Sequence, residues 1–203
     1  MVFIKTDEET KLTEAVFAEQ RQKLLNEGFT EHVHTKSDYG AGITSLIFGI
    51  PFMIIYILVF KNFTEVQTPY PSLFSLIIIF VLIYISTPIH ELLHAVGWCG
   101  FSRKNFENIY IFIPSGFSDA YCHYTMPLTF GKYVFGTLLP FIVLSLFFFI
   151  LSLITESKEM MYFSLFTAFS CGSDIASVFT AMKYKNAVFL DYPVKCGFAA
   201  YKK

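Results

Sequence analysis

The stretch His90-Glu91-Leu92-Leu93-His94 holds the residues of this sequence best suited to metal chemistry. On a helix, two histidines four residues apart lie on one face, one turn apart, so one tetrahedral metal ion can bind both rings. Glu91 is then placed to act as a general base toward a water at the metal. Zinc needs at least one further protein ligand, and a catalytic zinc keeps one position open. The alternative is a pair of core histidines bonded to backbone carbonyls, which the apolar surroundings disfavour.

The composition is that of a membrane protein. Of the 203 residues 54% are hydrophobic, 25 are Phe and only 15% are charged, whereas about a quarter of a soluble domain is charged. A formal net charge of -1 argues against nucleic acid as a partner. The 4 cysteines are scattered without C-x-x-C spacing, so neither a disulfide framework nor a thiolate zinc site is predicted. The polar N-terminal segment lacks the apolar core of a signal peptide, so we expect insertion to begin at the first membrane helix.

Four apolar stretches predict four transmembrane helices, over about residues 42–60, 73–98, 133–154 and 162–182. Each is long enough to cross a hydrocarbon core of about 30 Å. The second span carries the histidine pair, and Pro88 predicts a kink one turn before His90. The fourth span contains a single carboxylate, Asp174.

The segments outside the spans are predicted to be small. Residues 1–40 form a polar leader with an amphipathic helix over about 7–27, whose loose apolar stripe is Leu12, Val16, Leu24 and Leu25. Between the second and third spans, residues 108–114 and 120–125 are typical of two short strands, which predicts a hairpin beside the site. Residues 183–203 form a basic tail. We therefore expect an all-α membrane protein with four transmembrane helices in residues 41–182, a short cytoplasmic β-hairpin and an N-terminal amphipathic helix.

The orientation follows from the distribution of Lys and Arg. With four spans, the leader, the connection 99–132 and the tail share one side, and they contain all but two of the 15 basic residues. The exceptions are Lys61 and Lys158. Because basic residues accumulate on the cytoplasmic side, both termini are predicted to be cytoplasmic in a multi-pass protein of the cell membrane.

Only four imidazole or carboxylate side chains lie within the predicted spans: His90, Glu91, His94 and Asp174. An ionisable group inside a membrane is costly without a partner, so such groups usually face a bundle interior or a wet cavity. The two histidines and Asp174 fall within roughly one helical turn of the same depth. We therefore expect a His-His-Asp zinc site, and the alternative for Asp174 is a protonated carboxyl bonded to a neighbour.

Two other residues could compete for the third ligand position. His123 lies in the connection predicted to be near the site, and it could instead be solvated or stabilise a developing oxyanion. Cys171 lies one turn before Asp174 on a similar face, and we expect it to pack rather than to bind metal.

These residues resemble a known pattern. An H-E-x-x-H on a membrane helix, with an Asp from a later helix, resembles the site-2-protease type of intramembrane metallopeptidase. The closer resemblance is to a bacterial family of small multi-pass proteins described as zincin peptidases, a domain of unknown function. The matching pieces lie within about residues 40–185 and are 90–94, 121–127 and Gly172-Ser173-Asp174-Ile175. The resemblance implies metal binding by His90, His94 and Asp174, with Glu91 as the base.

One departure from the site-2 pattern concerns the residues around the aspartate. Those proteases usually present Asp within Asn-Pro-x-Asp-Gly or Leu-Asp-Gly, whereas Asp174 is followed by Ile175. The polar residue that would hold the substrate backbone is therefore not identifiable by pattern. Asn105 and Asn108 are accessory candidates by location only.

Together these observations predict a zinc-dependent endopeptidase that cuts a peptide or membrane-protein substrate in or near the lipid bilayer. The hairpin is expected to hold an unwound substrate as an added strand. One alternative is a non-catalytic regulatory or immunity protein with a closed, four-ligand structural metal site, to which His123 could contribute. Another is a hydrolase of lipid or of amide bonds other than peptides. Metal transport is the weakest alternative, because spans one and three offer no ionisable path. The oligomeric state is not predicted.

Overall fold

The computed structural model of the protein describes residues 2–4, 7–65, 71–100, 106–112, 120–193 and 195–203. These residues are mostly helical, as predicted. The helices are α1 (Asp7–Asn26), α2 (Asp38–Phe63), α3 (Leu73–Cys99), α4 (Phe130–Thr155), α5 (Lys158–Ser170) and α6 (Gly172–Ala181), and a 3-10 turn, Met182–Tyr184, follows α6. Within α4, residues Phe141–Leu146 have π-helical bonding. The strands are β1 (Val2–Ile4), β2 (Thr30–Lys36), β3 (Ile109–Phe112), β4 (Tyr121–Tyr124), β5 (Leu128–Thr129), β6 (Val188–Asp191) and β7 (Cys196–Lys202).

Serine caps define where the first two long apolar helices begin. The Ser37 hydroxyl accepts a hydrogen bond from the Gly40 amide at 3.2 Å, and the Ser72 hydroxyl accepts one from the Ser75 amide at 3.1 Å. Each serine satisfies an amide that has no partner inside its helix. Helix α3 continues through Pro88 and ends before Gly100, whose positive φ of 59° suits a residue without a side chain.

Helices α2, α3 and α4 are long and apolar enough to cross a membrane. Helix α5 and residues Gly172–Tyr184 together make a fourth candidate if the bent pair counts as one span. Many apolar side chains on these helices face outward, for example Phe80, which is 70% exposed, and Ile154, which is 74% exposed. Such a surface is compatible with insertion into a bilayer. The number of four spans stays a prediction.

The continuous fourth helix predicted over 162–182 is wrong. The helix is interrupted at Cys171, and the axes of the two helices on either side differ by 43°. At the break, Gly172 packs so closely on α2 that a Cβ atom there would lie 2.5 Å from the Ser45 carbonyl oxygen and 2.7 Å from the Ser45 Cα. The close approach of two backbones and the small residues around it allow this bend. The bend places Asp174 in the first turn of α6.

The predicted hairpin is confirmed as the antiparallel pair β3 and β4. Ile109 pairs with Tyr124 and Phe112 pairs with Tyr121. Strand β1 adds in parallel to the other side of β3, so the order of this sheet is β1-β3-β4. Strand β4 therefore has one edge that pairs with no strand in the described part of the chain.

A second, four-stranded antiparallel sheet has the order β2-β7-β6-β5. Its strands come from the polar leader, from the end of the connection before α4, and from the segment 183–203. The expectation of an all-α protein with one hairpin is therefore too narrow, because the segment predicted as a basic tail contributes the two central strands. Phe198, Ala199, Ala200 and Tyr201 of β7 are almost fully buried.

Helix α1 occupies the range predicted for the N-terminal helix and packs against this sheet. Phe17 and Leu24 of α1 are buried against Leu190, Ala199 and Tyr201. Of the predicted apolar stripe, Leu24 is buried, whereas Leu12 is 50% exposed. Leu24 and Leu25 of the predicted stripe therefore contact the sheet, together with Phe17, which the stripe did not include.

Candidate metal centre

The two histidines of α3 point toward one spot. Helix α3 carries both residues on one face, and His90 Nε2 lies 3.1 Å from His94 Nε2. The rings are nearly perpendicular, with 81° between their planes. Two imidazole nitrogens this close cannot both be protonated without repulsion, so the arrangement requires either a shared proton or a cation between them.

Asp174 completes a triangle of ligand atoms with these two nitrogens. Its Oδ2 atom lies 3.2 Å from His90 Nε2 and 3.7 Å from His94 Nε2. A zinc ion with ligands at about 2.0–2.1 Å in tetrahedral geometry separates its ligand atoms by about 3.3 Å. Two of the three distances between ligand atoms, 3.1 and 3.2 Å, are slightly shorter than that value, and the third, 3.7 Å, is longer. Asp174 Oδ2 is also buried, and the two imidazole nitrogens are the polar groups that face it. A buried carboxylate oxygen that shares one spot with two imidazole nitrogens fits a bound cation, so the residues present fit zinc.

The outer nitrogen of each histidine has its own partner. His94 Nδ1 lies 3.0 Å from the Gly136 carbonyl oxygen, and His90 Nδ1 lies 3.8 Å from Cys171 Sγ. When Nδ1 carries the proton and donates to these acceptors, the lone pair of each Nε2 faces the common spot. This is the arrangement by which proteins orient histidine ligands.

Close helix contact explains why a backbone carbonyl reaches His94. Gly97 of α3 and Gly136 of α4 face one another, and a Cβ atom on Gly97 would clash with the Gly136 backbone. A Cβ atom on Gly136 would clash with the indole ring of Trp98. With no side chain at either position, the two helices touch and the Gly136 carbonyl comes within reach of the imidazole.

Glu91 points to the same region from the adjacent position on α3. Its Oε2 atom accepts a hydrogen bond of 2.7 Å from the Cys122 amide at the free edge of β4. A carboxylate oxygen of Glu91 and a ring nitrogen of each histidine lie within 4.8 Å of one another. The bond to β4 orients the carboxylate, so a second oxygen remains for proton transfer next to the two rings.

A cavity of about 670 Å³ contains this group of side chains. Helices α2, α3, α4, α5 and α6 line it, together with the free edge of β4 and parts of β6 and β7. It is large enough for a short peptide segment, since ligand cavities commonly measure about 300–1,000 Å³.

Residues 83–189 match the model of a protein family described as "Putative zincin peptidase", and this match covers more than half of the chain. The chain belongs to that family. The matched range includes Glu91 and all three residues of the triangle. The resemblance noted from the sequence is therefore confirmed at the level of this zincin family. No curated protein and no solved structure matches the chain. The resemblance to site-2 proteases stays a prediction.

The structure places His123 away from the triangle. His123 Nδ1 bonds to Asp191 Oδ2 at 3.0 Å, and the same oxygen accepts from the Tyr124 amide at 3.2 Å. Among the described residues, neither of the two groups able to hold a metal ion includes His123. Asp191 itself lines the cavity, and sequence reasoning missed it because it follows the last apolar stretch. The signal in the sequence that could have identified Asp191 is its position as an acidic residue at the end of a strand-like stretch.

Asn108, one of the two accessory asparagines, is not brought into the site. The Asn108 carbonyl accepts hydrogen bonds from the amide and hydroxyl of Thr125, and Asn108 does not line the cavity. Asn105 lies outside the described residues.

Lys36 is a further residue that sequence reasoning missed. It ends β2 and reaches α6, where its Nζ atom donates to the Ser173 carbonyl at 3.2 Å and to the Ser177 hydroxyl at 3.3 Å. Burial lowers the pKa of Lys36, and the nearby Cys196 and Asp174 oppose this shift. The four-stranded sheet thus contacts the first turn of α6, beside Asp174.

Proposed function

We propose that the protein is a zinc-dependent peptidase in which His90, His94 and Asp174 hold the metal and Glu91 is the general base. The observation that carries this proposal is the triangle of two ring nitrogens and a buried carboxylate oxygen, with a glutamate beside it. Membership of the zincin family supports zinc as the metal. The exposed apolar surfaces of α2, α3 and α4 support action in or near a membrane.

Zinc, when bound, supplies a Lewis acid that activates water near neutral pH and polarises the peptide carbonyl. Glu91 accepts the proton that the attacking water loses and then passes it to the leaving amine. The Cys122 amide holds one carboxylate oxygen of Glu91, so the carboxylate keeps one orientation during both transfers. His90 and His94 keep their Nε2 atoms directed at the site through the partners of Nδ1.

The free edge of β4 restricts how a substrate could lie. Its outward amides at Cys122 and Tyr124 already donate to Glu91 and Asp191. A peptide added here as a strand would find carbonyl acceptors but not these two donors, so a complete ladder cannot form without moving both carboxylates. The hypothesis that the hairpin holds substrate as an added strand is therefore weakened, and the cavity itself is the proposed substrate site.

The test of this function combines metal content with cleavage. We expect the detergent-purified protein to contain close to one zinc ion per chain, and Asp174→Ala to lose most of it. Asp38→Ala is the matched control, because Asp38 lines the same cavity but belongs to neither group of potential metal ligands. Unchanged zinc content in Asp174→Ala would remove Asp174 as a ligand.

Cleavage tests the base. We expect Glu91→Gln to retain zinc and to cut an unfolded protein such as casein at least about 100-fold more slowly, the usual scale of general-base catalysis. Glu156→Gln, on an exposed turn, is the control. If Glu91→Gln cleaves as fast as the parent protein, the assignment of the base is wrong.

One contact favours a second function, a non-catalytic regulatory protein with a structural metal site. Cys171 Sγ lies within 4.8 Å of ligand atoms of His90 and Asp174, so a thiolate could occupy the position that a catalytic site leaves to water. Zinc binding without cleavage of any substrate, together with loss of zinc in Cys171→Ala, would support this second function.

A further inference from the structure

Lys36 brings a half-buried positive charge to the first turn of α6, which is the turn that carries Asp174. Its Nζ atom donates to the Ser173 carbonyl at 3.2 Å and to the Ser177 hydroxyl at 3.3 Å. These acceptors belong to the residue immediately before Asp174 and to the residue three positions after it. The ammonium also interacts electrostatically with the Asp174 carboxylate. Lys36 therefore contacts α6 on both sides of the proposed metal ligand.

The helix by itself does not explain a lysine at this place. The first turn of a helix carries a partial positive charge, so a cation beside it is repelled. Partial burial of an ammonium group is also unfavourable, because the charge loses hydrating water. The carboxylate of Asp174 in the same turn provides the opposite charge, and two helix oxygens accept the ammonium hydrogens. The place of Lys36 is thus explained by the turn that holds Asp174.

The first turn of α6 depends on other elements for its position. The N-cap residue, Cys171, makes no side-chain capping bond within the described residues, and the 43° bend separates this turn from α5. On one side, Gly172 packs against the backbone of Ser45 on α2. On the other side, a side-chain hydrogen bond joins Ser173 to Cys196 of β7. The turn is therefore held between α2 and the four-stranded sheet.

Lys36 is well suited to fix this turn, because its own backbone is fixed at both ends. It is the last residue of β2, where it pairs with Cys196 of β7. It also directly precedes Ser37, which caps α2. The side chain of Lys36 thus reaches α6 from the junction between the sheet and the first apolar helix.

We propose that Lys36 is a positioning residue, which holds the first turn of α6 so that Asp174 Oδ2 stays beside the Nε2 atoms of His90 and His94. This inference rests on the proposed function, because it takes Asp174 as a metal ligand. Outer contacts of this kind fix the orientation of a ligand, and their loss typically weakens metal binding about 10–100-fold. The N-terminal segment before α2 thereby takes part in the assembly of the metal site.

The test measures the zinc affinity of the detergent-purified full chain by competition with a chromogenic chelator. We expect Lys36→Met to bind zinc at least about 10-fold more weakly, because it removes the ammonium that holds the turn. Lys36→Arg should restore most of the affinity, since a guanidinium can donate to both acceptors. The direction of the change is informative. A lysine that acted only by its charge would repel the metal ion, so its removal would strengthen zinc binding.

Two further variants complete the test. Lys195→Met is the matched control, because it removes the same charge from an exposed side chain that lines the cavity, and we expect it not to weaken zinc binding. Ser177→Ala removes one of the two acceptors on α6 and keeps the charge of Lys36. We expect it to weaken zinc binding by a smaller factor than Lys36→Met, and it decides the question if Lys36→Met does not fold.

The visible absorption of the cobalt(II) form distinguishes positioning from general support of the fold. At saturating cobalt(II), the spectrum of Lys36→Met should shift toward that of Asp174→Ala, because the carboxylate is no longer held at the metal. A lysine that only stabilises the fold would leave the spectrum of the bound metal as it is in the parent protein.

The outcomes separate this inference from the proposed function. The role of Lys36 is overturned, and the metal site left intact, if Lys36→Met binds zinc as tightly as the parent protein or more tightly, or keeps the parent cobalt spectrum. An equal loss of affinity in Lys195→Met would also overturn it, as would unchanged affinity in Ser177→Ala when Lys36→Met does not fold. A parent protein that takes up neither zinc nor cobalt would refute the proposed function itself, and the role of Lys36 with it.

Discussion

The Gly136 carbonyl oxygen on α4 lies 3.0 Å from His94 Nδ1 on α3, and the two residues are 42 positions apart in the chain. This contact joins α3, the helix that carries the histidine pair, to α4. It depends on two glycines, because any side chain at position 97 or 136 would push the helices apart. The proposed metal site is therefore supported by packing between helices as much as by its own ligands.

Gly136→Ala tests this dependence. The added methyl group meets the Trp98 ring, so we expect the helices to separate and the Gly136 carbonyl to leave His94. Loss of such an outer contact typically weakens metal binding about 10–100-fold. Zinc affinity measured by competition with a chromogenic chelator checks the prediction. Gly131→Ala is the matched control, because it lies on the same helix with open space around the position of its Cβ atom. Equal zinc affinity in all three proteins would contradict the prediction.

Glu31 of β2 should make stability depend on pH. Its carboxylate accepts hydrogen bonds from Arg21 of α1 at 2.7, 2.8 and 3.0 Å and from the Tyr201 hydroxyl at 2.7 Å. The bond from Arg21 is the largest cause that lowers the pKa of Glu31 below its ordinary value. Because the folded-state pKa is the lower one, this stabilisation is complete above the unfolded pKa of about 4.3 and is lost as the pH falls through the folded value.

Thermal unfolding at a series of pH values checks that sign. We expect Glu31→Gln to lower stability at pH 7 and to make little difference at a pH well below the folded pKa. Arg21 is largely exposed, so the difference at pH 7 should not exceed about 1 kcal/mol. A Glu31→Gln protein that loses as much stability in strong acid as at neutral pH would show that the pair does not act through its charge.

The predicted orientation can be tested in intact cells with a membrane-impermeant maleimide. If both termini are cytoplasmic, Lys61→Cys and Lys158→Cys react from outside, whereas Lys203→Cys reacts only after permeabilisation. The parent chain, which has 4 native cysteines, gives the background. Labelling of Lys203→Cys in intact cells would place that end of the chain outside and reverse the orientation.

Local properties of the sequence were sufficient to predict the metal-binding face of α3, the candidate spans and the β3–β4 hairpin. The spacing of His90, Glu91 and His94 sets a metal-binding face on any helix, because residues four apart are neighbours on its surface. Long apolar stretches identify candidate spans, and alternating patterns identified the β3–β4 hairpin for the same local reason. Asp174 was singled out because a lone carboxylate in an apolar stretch needs a partner.

Contacts between distant segments could be decided only by the tertiary structure. The sequence did not reveal that the Cys122 amide would hold Glu91, that His123 would bond to Asp191, or that leader and tail would pair as β2 and β7. Nor did hydropathy indicate the bend at Cys171, since it measures composition and not how closely two backbones approach. These features depend on which surfaces pack together, and packing is a property of the whole chain rather than of any one segment.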